Sequence, residues 1–234
     1  HGAASDQLGA VQDPAKLIVV PYGLELDQFL DTPANVAGGK AIRARHPGKK
    51  IIFAVGRHVG YKGFRYLIEA MAGIEDTVLL LAGSGPLQQQ LQEQAITAGL
   101  TDRIVFTGRI SEEDLAFHYH ACDVFCMPSI TPAEGFGLVQ VEAMASGRPG
   151  VCCELHNGVT YVNRHGETGL VAEIKNVESL RTALERLLSN GAMRRRFGKQ
   201  ARKRVYAEFG VEEMGRRLLE LYRGISGVGE ASGK

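Results

Sequence analysis

Apolar runs of strand length, at residues 17–20, 51–55, 78–82, 103–106, 123–127, 149–153 and 168–172, alternate along the chain with segments of helical period. A strand with one wet face would alternate apolar and polar residues, so continuous runs of this kind belong to strands covered on both sides. Helices are expected between them at 63–72, 86–98, 112–121, 138–147, 176–189 and 191–208, with a last one from Glu212 to Arg223. In the fifth, Leu180, Ala183, Leu184, Leu187 and Leu188 share one face. Ser111 opens the third as an N-cap, with Asp114 in its first turn. Such alternation implies an α/β chain, a Rossmann-like parallel sheet with helices on both faces, whose ligands lie at the C-terminal ends of the strands. Glycines at 56, 83, 85, 108, 135 and 137 fall at those ends, where a ligand would need bare backbone.

The segment EGFGLVQVE, residues 134–142, places two glutamates eight positions apart around a glycine-flanked aromatic turn. Gly135 and Gly137 allow close backbone approach, and the helix that starts at Leu138 offers free N–H groups and a positive dipole end to phosphate. Glu142 then lies about 7 Å further along that helix, so the two carboxylates can meet hydroxyls at opposite ends of a nucleotide sugar. A capped amphipathic helix with two surface acids is the plain alternative. Upstream, VGRHVGYKG at 55–63 puts Arg57 and Lys62 in a strand-to-helix turn, where two cations suit a diphosphate leaving group. Taken alone, such cations are ordinarily solvated surface charges.

In order, VVPYGLELDQF, VGRHVGYKGFRYLIEAM, LLLAGSGPL and MPSITPAEGFGLVQVEAMASGRPGV, followed by NRHGETGLV, resemble the C-terminal, donor-binding domain of a family 4 glycosyltransferase of the GT-B fold. The resemblance runs from about residue 17 to residue 225. It implies that Arg57 and Lys62 hold the donor diphosphate, that Glu134 contacts the transferred sugar and that Glu142 holds the ribose. It further implies that the main chain of Phe136, Gly137 and Leu138 meets phosphate, and that Gly83, Ser84, Gly85, Pro86 and Ile110 line the nucleobase side. The implied reaction is retaining transfer of a hexose, from GDP-mannose or a UDP-hexose, to a glycan or lipid-linked acceptor in polysaccharide or glycoconjugate synthesis.

Two departures bear on the donor. Tyr22 stands where many relatives have Asn before the glycine of the connecting turn, and HNGVTYVN at 156–163 stands where many have paired glycines followed by a glutamate. The second pattern resembles a subgroup of bacterial polysaccharide and lipid-linked-sugar transferases, several of which use mannose donors. The GT-B fold needs two facing domains. This chain is expected to supply one, with residues 1–25 leading in from the inter-domain connection and 209–234 forming a C-terminal helix and tail. An N-terminal acceptor-binding domain is the expected partner.

With 27 basic and 26 acidic residues the net charge is +1, so no global field recruits nucleic acid. At 234 residues one full core can close. No apolar run reaches the roughly 20 residues of a bilayer span, and HGAASDQLGA lacks signal-peptide features, so a cytoplasmic protein is expected, peripheral to the inner membrane face at most. The basic run RRRFGKQARKR at 194–204 admits a weak membrane-surface association, but Phe197, Ala201 and Val205 at helical spacing favour an ordinary amphipathic helix. Cys122, Cys126, Cys152 and Cys153 lack paired metal spacing and read as small core residues, even with His118 and His120 nearby; His58 and His156 draw attention because each adjoins a motif. No Asp-x-Asp pair occurs, so neither cofactor nor divalent metal is expected and the donor is a substrate.

Three rivals remain at this level. An oxidoreductase would use Gly83-Ser84-Gly85 as a dinucleotide loop, yet Gln88 replaces its third glycine. A non-catalytic nucleotide-sugar-binding module or a nucleotide-sugar epimerase of related fold would retain the same residues.

Overall fold

The computed structural model describes residues 18–226. Six strands, β1 Lys50–Val55, β2 Thr77–Ala82, β3 Ile104–Gly108, β4 Val124–Met127, β5 Gly150–Cys153 and β6 Gly169–Ala172, form one sheet in the order β3-β2-β1-β4-β5-β6. Every pairing is parallel, with β1 joined to β4 through Ile52 opposite Val124 and Phe53 opposite Phe125. The helices are α1 Pro33–Ala44, α2 Phe64–Met71, α3 Gln88–Thr97, α4 Glu112–Ala121, α5 Leu138–Ala145, α6 Gly158–Val162, α7 Val177–Ser189, α8 Gly191–Glu208 and α9 Val211–Ser226.

Because side chains alternate across a strand, the apolar runs feed two cores. Ile51, Phe53, Leu80, Phe125 and Cys152 pack with Tyr119 of α4, Val141 of α5 and Val205 of α8. Ile52, Ala54, Leu79, Val124, Cys126 and Val151 pack on the other face with Leu67 of α2, Leu91 of α3 and Leu184 of α7. The four cysteines are buried free thiols, and burial pushes Cys122, Cys152 and Cys153 up to about 12 and Cys126 well above the ordinary thiol value. They act as the small core residues expected. Ser111 caps α4 by accepting from the Asp114 N–H at 3.0 Å.

The strand expected at 17–20 is not present over 18–20, and residue 17 lies outside the described residues, as do 1–16 and 227–234 of the two terminal segments. Nothing among the described residues pairs with this run, so Ile18 and Val19 stay exposed. A single parallel bridge, Leu24 with Gly210, follows it instead. Helix α1 was not expected, because Gly38 and Gly39 interrupt its pattern. They let α4 approach: a Cβ on Gly38 would lie 2.4 Å from the Phe117 ring. Its start carries a recognisable signal, Thr32 as N-cap accepting from the Asn35 N–H, with Pro33 in the first turn.

The chain leaves β1 through a 3₁₀ turn, Gly60–Lys62, and enters α2 at Gly63. Gly63 sits at φ 68°, and a Cβ there would lie 1.9 Å from the Pro128 carbonyl oxygen. The β1 turn is thereby pressed against the end of β4, and the Ile130 N–H donates to the Tyr61 carbonyl at 2.8 Å. Gly63→Ala should cost about 3 kcal/mol or more, from left-handed strain plus a backbone clash that no rotamer relieves. Urea unfolding measures it; a loss under about 1 kcal/mol would show that the turn yields.

Candidate functional site

Strand order reverses direction between β1 and β4, since β2 and β3 lie on one side and β5 and β6 on the other. Open parallel sheets bind ligands in the crevice outside the carboxyl ends at such a point. Here that crevice holds an open cleft of about 320 Å³ lined by Tyr22, Lys62, Glu134, Phe136, Gly137, Leu138 and Val139. Lys62 arrives from the turn after β1, and Glu134 to Leu138 from the loop after β4.

Lys62 Nζ donates to Glu134 Oε2 at 2.5 Å, and Ser129 Oγ donates to the same oxygen at 3.0 Å. Both members are nearly enclosed, with side chains 12% and 11% exposed. The Glu134 main chain is fixed as well. Its carbonyl accepts from Asn157 Nδ2 at 2.7 Å, and Asn157 also caps α6 by accepting from the Val159 N–H. Gln140 Nε2 donates to the Val159 carbonyl at 2.9 Å, tying α5 to α6. Asn157 was missed as a positioning residue. The HNGVTYVN segment stands out as a departure bearing on the donor, but nothing in its pattern tells that one amide spans to residue 134.

Gly137, at φ 75°, is the N-cap of α5, so Leu138 and Val139 bring the first turn of that helix to the cleft. Gly135 has open space around it and no positive φ; the tight turn is made at Gly137 alone. Phe136 packs edge-on against Tyr22 and Phe209, with ring centroids 5.8 and 5.6 Å apart.

The remaining expected site residues do not line this cleft. Arg57 is exposed on the same turn as Lys62 and has no side-chain partner among the described residues. Gly83, Ser84 and Gly85 continue along the sheet edge at the end of β2. Their bare backbone serves the fold first: a Cβ on Gly83 would lie 2.0 Å from the Gly56 oxygen, and the His58 N–H donates to the Ser84 carbonyl at 2.9 Å. Ile110, beyond β3, is half-buried against the core. His58 is buried edge-on to Phe64 and Phe106, its pKa lowered by burial; His156 is exposed beside Glu154.

Glu142 lies one turn into α5, away from Glu134 and in different surroundings. Tyr119, fully buried among Phe29, Phe53 and Phe125, donates its hydroxyl to Glu142 Oε2 at 2.7 Å, with the Val139 carbonyl oxygen 3.0 Å from the same hydroxyl as a shared acceptor. Burial holds the Glu142 carboxyl above the ordinary carboxylate value; the Tyr119 hydrogen bond opposes this and the Glu112 charge adds to it.

The family model described as glycosyl transferases group 1 matches residues 40–204, most of the chain and every cleft-lining residue but Tyr22. The chain belongs to that family. The O-antigen chain mannosyltransferase C of Escherichia coli is 28% identical over 220 residues, covering 94% of this chain and 57% of that protein. A GDP-mannose-dependent alpha-(1-6)-phosphatidylinositol monomannoside mannosyltransferase of Mycobacterium tuberculosis is 30% identical over 219 residues, covering 90% and 56%. Among solved structures, the sucrose-phosphate synthase of Thermosynechococcus elongatus superposes with a TM-score of 0.78 at 32% identity, covering 91% of this chain and 53% of that one. The glycosyltransferase resemblance and the Rossmann-like half of a GT-B fold are thus shown. The chain spans about half the length of the curated relatives it matches.

Two measurements test the electrostatics of this group 1 glycosyltransferase site. Removing one member of a nearly enclosed ion pair strands the other charge, so Lys62→Met should destabilise the chain by about 3 kcal/mol. Adding Glu134→Gln should recover much of that loss; strictly additive single and double variants would show that the pair is not coupled. The second concerns Glu142. Its folded pKa is raised, so it contributes stability that is present at acid pH and lost as pH rises through the folded value. Glu142→Gln should therefore melt above the parent at neutral pH, the two melting temperatures converging as pH falls below the ordinary value of 4.5. A gap independent of pH would assign the effect to packing.

Proposed function

We propose that this chain is the donor-binding half of a retaining hexosyltransferase that uses a nucleoside diphosphate sugar. The observation that carries the reading is the Lys62–Glu134 pair at the β1/β4 crevice, beside the first turn of α5. In the unliganded site each charge neutralises the other. A donor diphosphate competes for Lys62, drawing on that ammonium, the N–H groups at the start of α5 and Arg57 from the rim. Glu134 is then released to accept from a hydroxyl of the hexose, while Ser129 and the Asn157 clamp keep its carboxylate in place. As the bond to the leaving diphosphate breaks, the cations and amides already aimed at it stabilise the growing charge without reorganising. Glu142, steadied by Tyr119, is assigned to the ribose, and Gly83, Ser84, Gly85 and Ile110 to the nucleobase side of the same sheet edge.

The mannosyltransferase relatives of Escherichia coli and Mycobacterium tuberculosis support a mannose donor and a glycan or lipid-linked acceptor, and the GDP-mannose dependence of the second supports GDP-mannose before a UDP-hexose. The acceptor-binding domain belongs to the whole protein, because transfer needs the acceptor oxygen within about 3.5 Å of the anomeric carbon in a site closed to water. With Lys62 and Arg57 facing the diphosphate, the reading requires no divalent metal.

Calorimetry in the presence of chelator should show binding of a nucleoside diphosphate. Glu142→Ala should weaken nucleoside diphosphate and nucleotide sugar alike, by about 0.5–3 kcal/mol, whereas Glu134→Ala should weaken only the sugar-bearing ligand. Binding that requires magnesium, or equal effects of Glu134→Ala on both ligands, would overturn these assignments. Transfer to lipid-linked acceptors should appear only when the acceptor-binding domain is present.

A further inference from the structure

The basic run of α8 divides into two populations. Arg194 is used internally, donating to the Leu187 and Leu188 carbonyls and facing Asp123. Arg204 is buried, donating to the Tyr161 carbonyl and pairing with Glu208. Arg195, Lys199 and Lys203 differ. They recur every fourth residue, so they form one stripe, all three are exposed, and none has a hydrogen-bond or ion-pair partner among the described residues. Like charges at this spacing oppose one another in a helix, and nothing in the described fold offsets them.

That stripe lines a hollow of about 530 Å³ whose other walls include Asp31, Arg148 and Arg202. Five cations therefore face a single carboxylate, and that carboxylate is already engaged, since Asp31 accepts from both Arg202 Nη1 and Nη2. Arg202 is held further by its Nε–H donating to the Ala145 carbonyl at 3.0 Å, which also satisfies the C-terminal end of α5. One arginine suffices for that helix end. Arg148 Nε is buried with no partner, although Nη1 of the same side chain donates to the Cys122 carbonyl. The hollow is deepened by close backbone approach, a Cβ on Gly198 falling 2.2 Å from the Gly147 oxygen. It borders the C-terminal end of α5, whereas the donor cleft is at the N-terminal end, about 12 Å away along the helix.

We infer that this hollow is a second anion site, shaped for a phosphate or diphosphate group carried either by a soluble ligand or by a lipid headgroup. It is separate from the donor site and does not depend on the reading of that site.

The test uses the chain carrying Arg57→Ala, Lys62→Met and Glu134→Gln, so that the donor site loses both cations and no charge is stranded there. Calorimetry with inorganic pyrophosphate forms one arm, and co-sedimentation with phosphatidylcholine vesicles, with and without phosphatidylglycerol, forms the other. Binding in either arm is expected, falling steeply with salt and weakened about tenfold or more by Lys199→Glu with Lys203→Glu. Both positions are exposed, so the doubly reversed chain should melt no lower than its parent. Pyrophosphate binding alone assigns a soluble ligand, and binding only to phosphatidylglycerol vesicles assigns a headgroup. No binding in either arm, or binding unchanged by the two reversals, overturns the site.

Discussion

The pairing of β1 with β4 is the constraint from which the site follows, because it sets two turns from distant parts of the sequence against each other at one end of the sheet. Parallel strands need long crossovers, so β1 reaches β4 only after β2, β3 and their helices have been laid on one side. The turn after β1 then meets the loop after β4, the Ile130 N–H donating to the Tyr61 carbonyl. Gly63 against the Pro128 carbonyl sets how closely they meet, and Lys62 and Glu134 face each other as a result.

Two carboxylates of one short segment end in opposite circumstances. Glu134 is enclosed but compensated, with an ammonium and a serine hydroxyl on the same oxygen. Glu142 is enclosed against a phenol, which offers a hydrogen bond but no charge, and its proton affinity rises accordingly. The first arrangement leaves each charge neutralised by the other. The second keeps a carboxylate whose charge comes at a cost to the fold.

The six strands and helices α2 to α5, α7 and α8 were legible because their apolar runs and helical periods are long enough to read; α6, only five residues long, was not expected because so short a helix shows no period. Ser111, Thr32 and Asn157 show where legibility ended. Ser111 announced its helix through a capping pattern followed by a clear amphipathic stretch. Thr32 and Pro33 carry a similar signal, but Gly38 and Gly39 removed the periodicity that would confirm α1, and those glycines are explained only by the ring of Phe117 lying over them. Asn157 was visible as part of an unusual segment, yet its bond to the Glu134 carbonyl crosses between two loops. The run at 17–20 looked like a strand because apolarity was read without knowing whether a neighbour would pair with it.

By itself the sequence determined the class of fold, the sheet's parallel character and the glycosyltransferase family resemblance, because those depend on local pattern and on side-chain chemistry. Only the tertiary structure decided which of the expected site residues converge. Lys62, Glu134, Phe136, Gly137 and Leu138 share a cleft, while Arg57, Gly83, Ser84, Gly85, Ile110 and Glu142 do not line it, Glu142 meeting the buried Tyr119 instead. It also divided a single basic run into arginines that satisfy buried carbonyls and carboxylates and cations left facing a hollow. The physical reason is the same in both cases. Strand order and helix packing set distances between residues far apart in the chain, and Coulomb and hydrogen-bond energies depend on those distances rather than on position in the sequence.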